Sequence, residues 1–253
     1  MSANNINWFD QGGAAYANFR PQYPDALLDY LASLVKHDGL VLDVGCGSGQ
    51  LSTKLAGRFS NVIGLDPSAD QLAHASVHPN LRYVCQAAES LEFAPHSVAL
   101  ITAAQAAHWF DLPRFYAAVQ RVAQPGAVLA LISYGVLHFD ETLRDLNARF
   151  SQFYQSEIGP YWPPERSLVD SGYAGIDFPF DEIQAPAMEI ALSWSRAQFL
   201  GYLSTWSAVR VAREKNQLAL LQAFSDDLCH LWSEAEQCLT IRWPIAMRVG
   251  MVR

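Results

Sequence analysis

Short apolar runs alternate with amphipathic stretches through the first half of the chain. After Pro24, whose ring suits the first turn of a helix, Leu27, Leu28, Leu31, Leu34 and Val35 recur at helical spacing, and Gly39 closes that unit. The run LVLDV (40–44) predicts a short buried strand, and GCGSGQ opens a helix expected to reach Phe59. NVIGL (61–65) predicts a second strand, followed by a helix from near Ser68 that stops before Pro79. LRYVC (81–85) and SVALIT (97–102) predict a third and a fourth. Beyond Pro113, Phe115, Tyr116, Val119 and Val122 share one helical side, and the turn Pro125-Gly126 leads into a fifth strand, AVLALISY (127–134). Strands this rich in Val, Leu and Ile, with few polar alternates, are buried on both faces. Strand alternating with helix over residues 24–135 predicts a parallel, doubly wound sheet.

After Tyr134 the rhythm breaks. A helix is expected over 141–155, then the turn-rich aromatic stretches GPYWPPERS and GYAGIDFPF, which read as an insertion and not as another strand–helix unit. EIALSW (189–194) predicts a sixth strand, and helices are expected over 196–212 and 215–236. A last strand is placed within 241–252, after Pro244, because proline has no N–H to give to a ladder.

Composition adds exclusions. With 51% hydrophobic and 17% charged residues over 253 positions, a sizeable core is expected and wholesale disorder is not. A net charge of −8 without any run of Lys and Arg repels phosphates, which argues against nucleic acid or anionic membrane as partners. No basic flank and apolar core of signal-peptide type opens the chain, and no stretch reaches the ~18 apolar residues of a membrane helix. Cys46, Cys85, Cys229 and Cys238 lack metal-ligand or disulfide-framework spacing, so a cytoplasmic, reducing location is expected. His74 and His78 are four apart but lack a third ligand, so no metal is expected. Asp226, Asp227, Glu234 and Glu236 read as a solvated helix face.

The densest chemical signal is Val41-Leu42-Asp43-Val44-Gly45-Cys46-Gly47-Ser48-Gly49, where a strand ends in a glycine-rich turn that begins a helix. Without Cβ atoms the backbone can approach a ligand closely. Asp66 ends the next strand, seventeen residues after Gly49, where a carboxylate can accept both hydroxyls of a ribose. It also suits a helix start with Pro67 and Ser68. On these two features alone NAD and S-adenosylmethionine both remain open, although the spacing is GxGxG and not the dinucleotide GxGxxG.

VLDVGCGSGQ resembles the first motif of the class I S-adenosylmethionine-dependent methyltransferases nearly letter for letter, and GLDPS resembles their second. Ala87 to Phe93 is similar to the family's adenine-side segment, with Glu92 in place of the usual proline, and RVAQPGAVLALIS is similar to its Pro-Gly turn and fifth strand, with Ala127 replacing the second glycine. TAAQAAHWFD (102–111) and WFDQGGAAYANFRPQYP (8–24) resemble the trans-aconitate methyltransferase-like small-molecule branch of the type 11 grouping.

The resemblance implies a Rossmann-like seven-stranded sheet, mostly parallel with an antiparallel last strand, and a lid insertion after strand five. It implies S-adenosylmethionine as cofactor. Asp43 and the loop Gly45, Cys46, Gly47 and Gly49 would hold the methionine part, Asp66 the ribose, and Ala88 with Glu89 the adenine. Ala104 and Gln105 would lie near the sulfonium, while Tyr16, Arg20 and Tyr23 would close the site. His108 is the candidate catalytic residue, with a packed His–Trp pair as the plainer reading. Trp109, Tyr134, Tyr161, Trp162 and Arg166, with His138 and Trp206, are candidates for the acceptor pocket.

The expected organisation is one methyltransferase domain over 1–253. It comprises an N-terminal lid (1–24), a cofactor-binding core (25–135), a substrate-side insertion (136–185) and a sheet-completing segment (186–253). The expected reaction is methyl transfer to a small molecule, with a carboxylic acid as the favoured acceptor. Such an acceptor is already an anion at neutral pH and needs a cation more than a base, Arg20 and Arg166 being the candidates. Two other readings stand beside it. A nicotinamide-dependent oxidoreductase would want GxGxxG and a hydride-transfer site, and a binding protein could keep the fold without turnover.

Overall fold

The computed structural model describes residues 20–253. In chain order these form α1 (Asp25–Leu34), β1 (Leu40–Val44), α2 (Gln50–Ala56), β2 (Val62–Asp66), α3 (Ala69–Ala73), β3 (Leu81–Cys85), β4 (Val98–Ala104), α4 (Leu112–Val122) and β5 (Ala123–Tyr134). There follow β6 (His138–Phe139), α5 (Arg144–Gln152), α6 (Arg166–Asp170), β7 (Asp181–Ile183), β8 (Met188–Trp194), α7 (Arg196–Ser204), α8 (Ser207–Glu214), α9 (Leu218–Leu231) and β9 (Leu239–Met251). No helix among the described residues is long and apolar enough to cross a membrane.

The chain divides into two compact units. One holds Gln22–Val136, Ser167–Ile190 and Pro244–Arg253; the other holds residues 20–21, Leu137–Arg166 and Ala191–Trp243. In the first unit the strand order is β3-β2-β1-β4-β5-β9. The five strands β3, β2, β1, β4 and β5 run parallel, and β9 is antiparallel to β5 from Val128↔Met251 to Tyr134↔Ile245. β7 pairs antiparallel with the same end of β9. The mixed, mostly parallel sheet and its antiparallel last strand are those expected. Val41, Leu42, Ile63, Leu100, Ile101, Leu129 and Leu131 are all fully buried, which is why these runs read as unbroken apolar strands.

Among the described residues the sheet has nine strands where seven were expected. The two additional ones, β6 and β7, are two and three residues long, too short to leave a periodic pattern, and both are held by β9. The last strand also begins before Pro244 and not after it. Residues 245–251 pair with β5 and residues 241–242 pair with β6, so Pro244 falls in the interval between the two partners. Its missing N–H removes no bond to either, while its carbonyl accepts from the Gly135 N–H at 2.8 Å.

The second unit is built on aromatic packing. α5 continues into a π-helical turn, Phe153–Glu157, and Phe153 stacks on Phe224 of α9 with centroids 3.8 Å apart. Arg149 ties this turn to α9 through Glu157 (3.0 Å) and Asp227 (2.7 Å). The single helix expected over 196–212 is two, because the chain turns extended at Trp206 (φ −72°, ψ 137°), which is buried.

Candidate active site

β1 delivers the chain into the glycine turn within the first unit. Gly45, Gly47 and Gly49 have φ of +70°, +54° and +81°, the left-handed region that side chains disfavour. A Cβ at Gly45 would lie 2.5 Å from the Ala106 Cβ, and one at Gly49 would overlap Tyr83, whose hydroxyl donates to the Ser76 carbonyl at 2.8 Å. Beside Gly47, among the described residues, the nearest atom to a Cβ would be Gln71 Oε1, 3.9 Å away.

Asp66, at the end of β2, is tied to this turn. Its carboxylate accepts from the Gly47 N–H (2.8 Å) and the Ser68 N–H (2.9 Å), and Ser68 in turn caps α3 by accepting from the Gln71 N–H. The helix-start role and the loop-side position expected for Asp66 therefore coexist.

Asp43 is placed differently from a ligand-facing group. It is 1% exposed and accepts from Ser52 Oγ (2.5 Å) and Thr102 Oγ1 (2.8 Å), linking β1 to α2 and β4 beneath the turn. Burial pushes its pKa up from 3.8 to about 6, the two hydroxyls opposing that rise and the Asp66 charge adding to it. Burial, with the charges of Asp43 and Asp66 adding to it, also pushes the Cys46 thiol well up, so this cysteine is no nucleophile at neutral pH.

Ala88 is buried, and Glu89 accepts from the Asp111 N–H at 2.9 Å, fixing the residue that caps α4. Gln105, just past Ala104 at the end of β4, is left-handed at φ +53°. Two hydrogen bonds hold it there, Gln105 N–H to the Ile132 carbonyl (2.8 Å) and Nε2 to the Tyr134 carbonyl (3.0 Å). Backbone strain of about 1–3 kcal/mol at a strand end is a feature of functional sites. His108 follows in a single 3-10 turn, Ala107–Trp109; its Nδ1 lies 3.1 Å from Tyr173 Oη and its ring 4.8 Å from that of Trp109, which is 59% exposed. Tyr134 is buried, 6.2 Å ring to ring from Tyr23.

The remaining candidates belong to the second unit. Arg166 Nε donates to Tyr154 Oη at 3.0 Å, and its guanidinium lies 4.6 Å from the centroid of Trp162. Trp162 packs on Trp206, and Tyr161 lies under Lys215 Nζ at 5.7 Å. His138 is exposed in β6. Arg20 is half-buried, and Tyr16 lies outside the described residues.

Sequence reasoning missed Ser52, Thr102, Tyr83 and Tyr173. Thr102 had a signal, a lone polar residue inside the apolar run of β4. Tyr173 had none, being sixty-five residues from His108. The His74–His78 pair is not on one helix, since α3 ends at Ala73; among the described residues no group of three or more His, Cys, Asp or Glu could hold a metal ion.

A parallel sheet with a left-handed glycine turn at the first strand end, and an acidic residue at the second, defines a doubly wound ligand-binding fold. A family model for the methyltransferase domain matches residues 42–131. A Dictyostelium discoideum protein assigned as a methyltransferase is 33% identical over 239 residues, 92% of this chain and 90% of that protein. A solved structure from Anaeromyxobacter dehalogenans, assigned as a type II methyltransferase, is 42% identical, with TM-score 0.85 over 92% of this chain and 98% of that one. The trans-aconitate 2-methyltransferase of Deinococcus radiodurans is 35% identical over 126 residues, 48% of this chain and 47% of that enzyme. The chain belongs to the class I S-adenosylmethionine-dependent methyltransferase family.

Proposed function

We propose that this protein binds S-adenosylmethionine at the glycine turn and methylates a small carboxylic acid, giving a methyl ester. The observation that carries the reading is the turn itself: three left-handed glycines, no described atom closer than 3.9 Å to a Cβ at Gly47, and the Asp66 carboxylate pinned at its edge. The turn's N–H groups are already engaged, those of Gly45 and Cys46 by the Leu65 carbonyl, Gly47 by Asp66 and Gly49 by the Cys46 carbonyl, so they brace the turn. Its side chain-free surface at the glycines would admit the methionine part by close approach, and the remaining lone pairs of Asp66 would take ribose hydroxyls. Ala88, buried, offers an apolar side for the adenine, while Glu89 acts by holding the start of α4 in place.

When bound, the cofactor supplies an electrophilic methyl group on a sulfonium. The chain's own residues position the acceptor and exclude water. A carboxylic acid, with pKa near ~4, arrives ionised and needs no general base. The trans-aconitate 2-methyltransferase relative supports the same acceptor class.

S-adenosylmethionine and its demethylated product should raise the melting temperature, and NAD should not. Asp66→Ala should weaken cofactor binding by about 1–3 kcal/mol, because charge-assisted hydrogen bonds and the tie to Gly47 are lost. Unchanged affinity in a calorimetric titration removes Asp66 from the site.

His108→Ala should change the chemical step by less than about tenfold, with no titration near ~6.5 in the rate profile. An alcohol or amine acceptor predicts the reverse, a base contributing roughly 10²–10⁴-fold. Rate profiles of both proteins against pH separate the two, and a large loss with a limb near that pH excludes the carboxylate.

A further inference from the structure

Two glycines of the first unit leave room for one ring. Gly64 lies inside β2, where a glycine weakens a strand and marks a close approach. Its partner in the ladder is Tyr83 of β3, and a Cβ at Gly64 would lie 2.7 Å from both Cδ1 and Cε1 of that ring. At the far end of the ring, a Cβ at Gly49 would overlap the Tyr83 hydroxyl. Tyr83 thus reaches from β2 to the last glycine of the turn, just before α2. The hydroxyl at its tip continues the connection. It donates to the Ser76 carbonyl at 2.8 Å, and the Ser76 N–H donates to the carbonyl of Ser48, between Gly47 and Gly49, at 3.3 Å. Ser76 is exposed in the connection from α3 to β3, so hydrogen bonds and not burial set its place. The N–H groups of the turn anchor it to the end of β2 and to itself. The Ser48 carbonyl anchors it to this second segment.

We propose that Tyr83 is a positioning residue for cofactor binding: its ring, seated on Gly64 and against Gly49, and its hydroxyl, acting through Ser76, hold Ser48 and Gly49 in the conformation that receives S-adenosylmethionine. The proposal rests on the reading of the turn as the cofactor site. A turn containing three glycines has more backbone freedom to lose on binding than a turn of ordinary residues. Contacts that remove this freedom in the free protein spare the ligand that loss, which raises affinity without any contact between Tyr83 and the cofactor. The turn would hold the methionine part, which S-adenosylmethionine shares with its demethylated product, so both ligands gain alike.

Tyr83→Phe keeps the ring in its seat and deletes the hydroxyl, so calorimetric titration of the full chain with S-adenosylmethionine and with its demethylated product tests the relay. Both ligands should bind about three- to tenfold more weakly than to the wild type, each by the same factor. In the cofactor-free variant the Ser76 amide should exchange hydrogen at least about threefold faster, while the amides of β1 and β4 exchange as in the wild type. The titrations are run where both proteins are fully folded, so a general loss of stability does not enter. A lower melting temperature with unchanged affinity is the mark of a merely structural tyrosine and overturns the proposal. So does a loss confined to S-adenosylmethionine, which reports its charge and not the turn, and so does unchanged exchange at Ser76. Wild-type protein that binds neither ligand overturns the cofactor reading and this proposal with it. Wild-type binding that Tyr83→Phe leaves intact overturns this proposal alone.

Discussion

Replacing Gly45 with alanine should destabilise the protein by roughly 2–5 kcal/mol, whereas the same change at Gly126 should cost about 1 kcal/mol. Both residues are left-handed, at φ +70° and +79°, so both variants carry the backbone strain. They differ in what a new methyl group would meet. At Gly126 none of the described residues comes within 4 Å, while at Gly45 the Ala106 Cβ would lie at 2.5 Å and Phe110 Cζ at 3.2 Å. The Ala106 methyl sits on backbone two residues past the end of β4 and cannot swing aside, so the glycine turn or the segment after β4 must shift. Urea unfolding of the two variants against wild type measures the contrast. Equal destabilisation would mean that the close packing of the turn against the segment after β4 has no energetic weight.

The second large effect is a dependence on pH. The folded-state pKa of Asp43, about 6, lies above its ordinary 3.8 because burial disfavours the charged form. Below pH ~4 the group is neutral in both states and imposes no penalty. Above pH ~6 it is ionised in both states, and the folded protein bears the full desolvation penalty. Between those limits the folded state binds more protons, so stability falls as pH rises, by about 3 kcal/mol from this group. Asp43→Asn removes the titration while keeping an acceptor for one hydroxyl and a donor to which the other can turn. The variant's stability relative to wild type should therefore climb between pH 4 and 6 and level off above ~7. The neighbouring charge of Asp66 and the thiol of Cys46 are common to both proteins and cancel in the difference. Denaturation midpoints recorded across that range check it, and a pH-independent difference would falsify it.

How legible each part was follows from what holds it. LVLDV, NVIGL and AVLALISY read as strands because burial on both faces leaves no polar alternation to confuse with a helix. β7, with the sequence Asp181-Glu182-Ile183, has two exposed acidic residues and exists only because β9 offers it an edge, so no local pattern announces it. Pro244 misled for a related reason. The rule that proline leaves the middle of a strand concerns a missing donor, and here no bond to β5 or β6 calls on one. In the candidate site the glycine turn and Asp66 were legible because their spacing reflects backbone geometry. The internal partners of Asp43 and Glu89 were not. A carboxylate beside a ligand motif reads the same in sequence whether it faces the ligand or braces the loop, and the difference lies in Ser52, Thr102 and the Asp111 amide.

Asp43 and Asp66 also act together beyond their local hydrogen bonds. Each raises the electrostatic work of placing another negative charge beside the turn, and each lowers that of placing a positive one. The same field that makes a second anion costly beside the turn would therefore hold a positively charged group there more firmly than its neutral counterpart.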